Sequence, residues 1–122
     1  MKDERSCPGW YWVRGLHDAQ ILEVSMQDDT LTLCIDSGNA MFDNTLERIT
    51  FLGARPKTPL PAPTKKEPVY WLWDELTELP FGQWKLHIQL ETGFSRGKIV
   101  EEPMMIVFQN AIITRRDTLG GK

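Results

Sequence analysis

The fold is decided by residues 20–36, whose sequence is QILEVSMQDDTLTLCID. Apolar side chains occupy every second position from Leu22 to Met26 and again from Leu31 to Ile35. Alternation of this period is typical of a β-strand that buries one face. The polar residues 27–29 separate the two runs and supply turn-forming side chains. The segment therefore predicts a β-hairpin, with the alternating apolar residues on its buried face.

Further strands are predicted along the rest of the chain. Residues 46–52 place Ile49 and Phe51 on one face. Residues 84–91 alternate cleanly between apolar and polar side chains, and the apolar run at 104–114 predicts a last strand or pair of strands. Residues 69–76 are rich in aromatic and β-branched side chains, which favours a strand. A short helix from Trp73 to Leu79 is the alternative for that segment.

The predicted strands and short turns define the fold class. We expect a mainly β, antiparallel meander with little helix, arranged as a two-layer sandwich or an open half-barrel. The chain has 122 residues, and a chain of this size buries about two thirds of its surface on folding. We therefore expect a single domain over residues 1–122.

Residues 56–68 form the one compositional break, with five prolines in 13 residues. Proline cannot donate a backbone hydrogen bond to a sheet and restricts the residue before it. This segment is therefore predicted to be an extended internal loop. Its Pro-Leu-Pro-Ala-Pro core matches the composition of ligands of SH3-like domains. A stiff connector between two halves of one sheet is the simpler interpretation, and we favour it.

Charge and composition exclude several classes of protein. The chain carries 14 Lys and Arg against 17 Asp and Glu, a net charge of −3, which disfavours nucleic-acid binding. No apolar run approaches the ~20 residues that span a bilayer, and the N-terminus lacks the apolar core of a secretory signal. We therefore expect a cytoplasmic protein in which Cys7 and Cys34 are reduced thiols, although a lone disulfide between them stays open. The spacing of the Cys and His residues predicts no metal site, and we expect no cofactor.

Two polar pairs have the residue types of catalytic groups. His17 and Asp18 are adjacent, but neighbours on a strand point to opposite faces, so a structural role is the favoured interpretation. Asp74 and Glu75 are also adjacent, and paired carboxylates can bind a metal or transfer protons. Adjacent acids at the end of a strand are more often a solvated edge. The chain has no nucleophile elbow and no phosphate-binding loop, so we assign no catalytic residue.

The aromatic residues are the strongest functional signal, because five of the 12 are tryptophan. Trp10 and Trp12 are spaced by two, as are Trp71 and Trp73, so each pair is predicted to share one face of an extended segment. Tryptophan is enriched at interface hot spots. The candidate binding residues are therefore these rings and the polar groups beside them: Trp10, Trp12, His17, Asp18, Trp71, Trp73, Asp74 and Glu75. The alternative is that the rings cover the open ends of the sheet.

Two short motifs resemble a known group of proteins. Leu16-His17-Asp18-Ala19-x-Ile21 and Trp71-Leu72-Trp73-Asp74-Glu75-Leu76 are similar to motifs in a loose group of small bacterial β-rich proteins of unknown function. Some relatives in that group are thought to be immunity proteins of toxin systems. Tyr is commoner than Trp at the position of Trp73 in that group. The resemblance implies a β-rich fold, a bacterial cytoplasm and protein binding, and it transfers no catalytic residue.

Two functional hypotheses follow. The first is a non-enzymatic bacterial protein-interaction module, such as an immunity protein that binds a basic toxin, since acidic charge complements a basic partner. The second is a small-ligand or carbohydrate-binding protein, or a hydrolase, that uses Asp74 and Glu75 with Trp71 and Trp73. The sequence leaves the oligomeric state and the identity of the partner open.

Overall fold

The computed structural model describes residues 16–38 and 45–115, and it confirms the mainly β, antiparallel prediction. The only helical segment in these residues is a single 3-10 turn at Pro80–Gly82. The eight strands are β1 (Gln20–Gln27), β2 (Thr30–Asp36), β3 (Leu46–Leu52), β4 (Arg55–Pro56), β5 (Val69–Leu79), β6 (Gln83–Ser95), β7 (Lys98–Phe108) and β8 (Asn110–Arg115).

All strands belong to one antiparallel sheet, in the order β4-β7-β6-β5-β1-β2-β3-β8. β3 runs into β4 through Gly53 and Ala54, and β7 runs into β8 through Gln109. One edge strand, β4, therefore continues from β3, and the other edge strand, β8, continues from β7. The sheet curls until these two edges meet. The ladder is interrupted at these connections, so the sheet is not closed. Of the two predicted architectures, the open half-barrel is the one observed.

Gly53 shows why the two segments can cross. Its φ is +65°, a conformation that glycine adopts without strain. A Cβ atom at this position would lie 2.9 Å from the side chain of Gln109. At the same crossing, the backbone N–H of Gln109 donates a 2.9 Å hydrogen bond to the carbonyl of Leu52. The absence of a side chain at residue 53 thus lets the two edges of the sheet approach each other.

The interior of the curl is one continuous apolar core. Phe51 and Phe108 meet there in an edge-to-face contact, with ring centroids 4.8 Å apart. Ile49, Leu86 and Ile88 are fully buried, as their alternation predicts. The large side chains that are buried completely come from both halves of the chain, and they are Leu16, Ile21, Leu31, Leu33, Leu46, Ile49, Phe51, Trp71, Leu86, Ile88 and Phe108.

The hairpin of β1 and β2 is confirmed. Of the three residues predicted on the buried face of β1, Val24 packs against the core, whereas Leu22 and Met26 are exposed. Ile21 lies opposite Ile35 and Glu23 lies opposite Cys34, so Leu22 is an extra residue with no partner. This β-bulge shifts the alternation by one position. Ile21 is consequently buried, whereas Leu22 is 51% exposed.

The proline-rich segment connects the two halves of the sheet. Pro56 pairs with Ile106, and residues 57–68 then run to β5 without regular structure. The segment is tied to β7, because the amide of Lys57 donates to the carbonyl of Met105 and the amide of Met105 donates to Thr58 Oγ1. Leu60 packs against the apolar core. These contacts support the connector interpretation.

The connector role predicts a stability effect at Leu60. We expect Leu60→Ala to lower the free energy of unfolding by about 1–2 kcal/mol, because a half-buried leucine loses apolar contacts. Lys57→Ala, at an exposed position in the same segment, is the control and should change stability by less than about 0.5 kcal/mol. Urea unfolding followed by far-UV circular dichroism measures both values. Equal stability of Leu60→Ala and the wild type would show that the segment does not pack on the core.

Candidate functional site

Residues 16–19, which carry the first motif, form a tight turn before β1. The amide of Ala19 donates a 2.9 Å hydrogen bond to the carbonyl of Leu16, which closes the turn. Asp18 has a φ of 75°, a left-handed conformation that aspartate tolerates better than most residues. Leu16 and Ala19 are buried in the core. The motif therefore has a local structural role at the entry to the sheet.

The second motif contains a β-bulge. Trp71 lies opposite Leu90 and Trp73 lies opposite Gln89, so Leu72 is the extra residue. The expectation that Trp71 and Trp73 share one face is wrong, because the bulge shifts the alternation between them. Trp71 is completely buried, whereas Trp73 is 49% exposed.

The turn and the bulge bind each other through three hydrogen bonds. The amide of Asp18 donates to the carbonyl of Trp71 at 2.9 Å, and the amide of Trp71 donates to the carbonyl of Ala19 at 2.8 Å. His17 Nδ1 lies 2.6 Å from the carbonyl oxygen of Leu72. A carbonyl oxygen can only accept, so Nδ1 of His17 carries the proton in this contact. We call this set of contacts the turn–bulge contact.

The indole of Trp71 makes a further hydrogen bond from the core. Its Nε1 donates to Oδ2 of Asp74 at 2.8 Å. Buried indoles usually need such a partner, because an unpaired N–H in the interior is costly. Asp74 is thereby used to hold the ring of Trp71 in place. This contact gives Asp74 a structural role, which an acid on a solvated edge would not have.

The side chains of His17 and Asp18 lie closer together than predicted. Nε2 of His17 is 3.5 Å from Oδ1 of Asp18, and the side chains are 51% and 59% exposed. The prediction that they point to opposite faces is wrong, because the two residues occupy a turn rather than a strand. The structural role of His17, which was favoured, agrees with its hydrogen bond to Leu72.

Trp73 belongs to a separate group of side chains on the outer surface of the sheet. Its ring lies against the ring of His87, with centroids 4.8 Å apart. Glu75 lies directly opposite His87 on the neighbouring strand. Gln89 and Glu101 continue the group across β6 and β7. We call this surface the Trp73 face, and it consists of Trp73, Glu75, His87, Gln89 and Glu101.

Hydrogen bonds fix the orientation of the polar side chains on the Trp73 face. Nε2 of Gln89 donates to Oε1 of Glu101 at 3.1 Å, so Oε1 of Gln89 points the other way. That oxygen lies 3.0 Å from Nε2 of His87. Since an amide oxygen accepts, Nε2 of His87 is the donor. The hydrogen bond to Gln89 therefore holds the imidazole of His87 in one orientation, and the imidazole packs against the indole of Trp73.

Acidic side chains surround this aromatic centre. Glu75 lies beside His87, and Glu101 lies directly opposite Glu91 on the next strand. Like charges that face each other across a sheet are destabilising. Among the residues described, no lysine or arginine makes an ion pair with these carboxylates. Lys85 lies two positions from His87 on β6, on the same side of the sheet. The face therefore combines a half-exposed tryptophan with three carboxylates, Glu75, Glu91 and Glu101, and one nearby lysine.

Two clefts lie at the start of β5, and residues of the proline-rich segment line both of them. One has a volume of about 300 Å³ and is lined by Leu60, Val69, Leu90 and Glu102 among others. The second has a volume of about 480 Å³ and is lined by Tyr70, Glu91 and Val100 among others. Among the predicted site residues that the structure describes, none lines either cleft.

The remaining predicted residues are distributed as follows. Trp10, Trp12 and Cys7 lie outside the described residues. Cys34 is half-buried, with its Sγ 3.7 Å from Oε1 of Glu23. In the described part of the chain, no cluster of His, Cys, Asp and Glu has the arrangement of a metal site. Across residues 16–38 and 45–115, no helix is long and apolar enough to cross a membrane.

Sequence reasoning missed His87, Gln89 and Glu101 as members of a functional surface. The alternation of residues 84–91 did assign His87 and Gln89 to the polar face of their strand. The sequence did contain one indication of this surface: the polar face of β6 is followed along the chain by β7, which carries Glu101 and Glu102. The pairing of β6 with β5 and β7 was needed to place Trp73 and Glu101 beside it.

Comparisons of the chain with protein-family models, with curated proteins and with solved structures gave no match.

The two tryptophans of the second motif are expected to respond differently to the loss of their indole N–H. Trp71→Phe removes the donor to Asp74 from the core and should lower the free energy of unfolding by about 1–2 kcal/mol. Trp73→Phe is the matched control, since it keeps an aromatic ring on the surface, and should cost less than about 0.5 kcal/mol. Urea titration of the two variants gives the comparison. Equal losses would contradict the assignment of one ring to the core and the other to the surface.

Proposed function

We propose that this chain is a non-enzymatic bacterial protein that binds a basic protein partner through the Trp73 face. The resemblance to the group that includes toxin-immunity proteins suggests the kind of partner, a cationic toxin in the cytoplasm. The observation that carries the proposal is the half-exposed Trp73, which is supported by His87 and surrounded by carboxylates.

The physical chemistry of the Trp73 face fits protein binding. A tryptophan that is already held by a neighbour loses little side-chain freedom when a partner covers it, so more of its burial energy contributes to affinity. Tryptophan is also among the residues most enriched at hot spots. A basic partner would neutralise the acidic groups Glu75, Glu91 and Glu101, and such complementarity accelerates association.

The second hypothesis, a ligand-binding protein or hydrolase, receives no support from the geometry. Asp74 lies opposite the buried Ile88, whereas Glu75 lies opposite His87 on the outer face. Trp71 is buried and Trp73 is exposed. The four residues of that hypothesis are therefore divided between two faces of the sheet and do not line one cleft.

The proposal predicts that Trp73 dominates binding. The test uses the purified product of the neighbouring gene as the candidate partner, with affinity measured by isothermal titration calorimetry. Trp73→Ala should weaken binding at least tenfold, which corresponds to about 1.4 kcal/mol. Ile112→Ala is the matched control, because Ile112 is a similarly exposed apolar residue on β8, and it should bind as the wild type does. Absence of binding by the wild type, or equal binding by Trp73→Ala, would refute the proposal.

The acidic surroundings of Trp73 predict a charge effect on the rate of association. Glu75→Lys should slow association by about tenfold at low salt, because it reverses a charge beside the anchor. Glu47→Lys, at an exposed position on β3, makes the same change in net charge away from the face and should have a much smaller effect. Stopped-flow association at several salt concentrations separates the two variants. An equal slowing by both would mean that net charge alone steers the partner.

A further inference from the structure

The strand β1 has a free edge along most of its length. On one side it pairs with β2 from Gln20 to Gln27. On the other side it pairs with β5 only at Gln20 and Ile21. Within residues 16–38 and 45–115, no strand pairs with that second side from Leu22 onward. Backbone N–H and C=O groups that point away from an edge strand are a template for a further strand. We call residues 23–27 on this side the β1 edge.

The described contacts of the proline-rich segment, which precedes β5, lie away from the β1 edge. The segment is hydrogen-bonded to Met105 of β7 through Lys57 and Thr58. The strand residues that line the two clefts beside it belong to β5, β6 and β7. Two apolar side chains along the free side of β1 are correspondingly exposed, Leu22 by 51% and Met26 by 38%. The β1 edge is therefore accessible to another chain.

The other free edges of the described sheet are better protected than the β1 edge. Proteins protect strand edges with proline, charged side chains, bulges or a covering segment. β7 carries Pro103 and two glutamates, and the proline-rich segment is hydrogen-bonded to its free side. On β8, the backbone N–H of Ala111 already donates to Oδ1 of Asn110. The β1 edge contains no proline and one charged residue, Glu23, and the bulge at Leu22 lies before it.

The β1 edge is complementary to a second copy of itself. Its pairing with β2 places Val24 and Met26 opposite buried leucines, so these two residues belong to the core side of the sheet. Glu23, Ser25 and Gln27 alternate with them on the outer side. If two antiparallel copies are related by a two-fold axis at Ser25, Val24 of one copy faces Met26 of the other. Glu23 then faces Gln27 of the other copy, so no carboxylate is placed opposite another, which would be destabilising.

We infer that two copies of this chain associate through the β1 edge, with their β1 strands antiparallel about a two-fold axis at Ser25. Each copy contributes the same residues, so the contact closes after two copies. Main-chain hydrogen bonds between the strands provide affinity, and the alternation of apolar and polar side chains fixes the register. The Trp73 face lies on β5, β6 and β7 and takes no part in this contact. The inference therefore goes beyond the proposed function and rests on a different part of the sheet.

Cysteine cross-linking tests the register of the two strands. Each variant also carries Cys7→Ser and Cys34→Ser, so that one thiol remains in the chain. Ser25→Cys places two thiols opposite each other at the two-fold axis and should form a disulfide-linked dimer under mild oxidation. Glu23→Cys, on the outer side of the same strand, is the matched control and should not cross-link to itself. It should cross-link to Gln27→Cys when the two proteins are mixed. Equal cross-linking of Ser25→Cys and of Glu23→Cys alone would overturn the inference.

Sedimentation equilibrium tests the association itself. At micromolar concentrations the wild type should have twice the mass of one chain. Ser25→Lys should be monomeric, because it places two lysines opposite each other across the axis. Ala62→Lys makes the same change in charge at an exposed position of the proline-rich segment and should remain dimeric. Trp73→Ala should also remain dimeric, since Trp73 lies outside the contact.

Two results would refute the inference. A monomeric wild type, with no cross-linking of Ser25→Cys, would leave the β1 edge to a strand of another protein. A dimer that persists in Ser25→Lys would place the contact on another surface. The cross-linking test does not depend on whether Ser25→Lys folds. Either refutation would leave the proposed function standing, because that function is tested by binding of the partner to Trp73→Ala.

Discussion

The turn–bulge contact is the interaction that fixes the opposite orientations of Trp71 and Trp73, on which the account of the candidate site depends. β1 and β5 are paired only at Gln20 with Tyr70 and at Ile21 with Val69. The hydrogen bonds from residues 17–19 to Trp71 and Leu72 extend this short junction. The junction joins the strands before the proline-rich segment to those after it, as the pairings of β3 with β8 and of β4 with β7 also do. The bulge at Leu72 then directs Trp71 into the core and Trp73 to the outer surface.

The two motifs of the family resemblance meet at this contact. Leu16 and Ala19 are buried, His17 donates to Leu72, and Trp71 donates to Asp74. The motif residues are therefore used mainly to build the junction. A resemblance that depends on them is informative about architecture and says little about the partner. Membership of that group remains a prediction, and partner choice is expected to depend on Trp73 and its acidic neighbours.

Much of the fold could be predicted from alternation, but the bulges could not. β3 was predicted with its observed bounds, and the buried face of β6 was correct, because polar and apolar residues there alternate without interruption. At Ile21-Leu22 and at Trp71-Leu72-Trp73, consecutive residues are all apolar. The pattern then contains no mark of where an extra residue enters. A period of two consequently placed Leu22 on the buried face and Trp73 on the same face as Trp71, and both assignments are wrong. The left-handed conformation of Asp18 in the turn before β1 was not predicted, because glycine is the usual residue at such positions.

The candidate site was predictable only in part. Trp73 was selected from composition, but its neighbours His87 and Glu101 come from strands whose pairing the sequence does not specify. For the pair that the structure describes, the candidate surface thus changes from two tryptophans to Trp73 alone, together with His87 and the neighbouring carboxylates.

The account is tested most directly by fluorine NMR of protein labelled with 5-fluorotryptophan, with signals assigned through single Trp-to-Phe variants. The difference in chemical shift between H₂O and D₂O reports the solvent exposure of each indole. We expect a large difference for Trp73 and almost none for Trp71, and we expect only the Trp73 signal of this pair to move when the purified product of the neighbouring gene is added. Equal solvent responses of the two signals, or a partner that moves the Trp71 signal and leaves the Trp73 signal unchanged, would contradict the account.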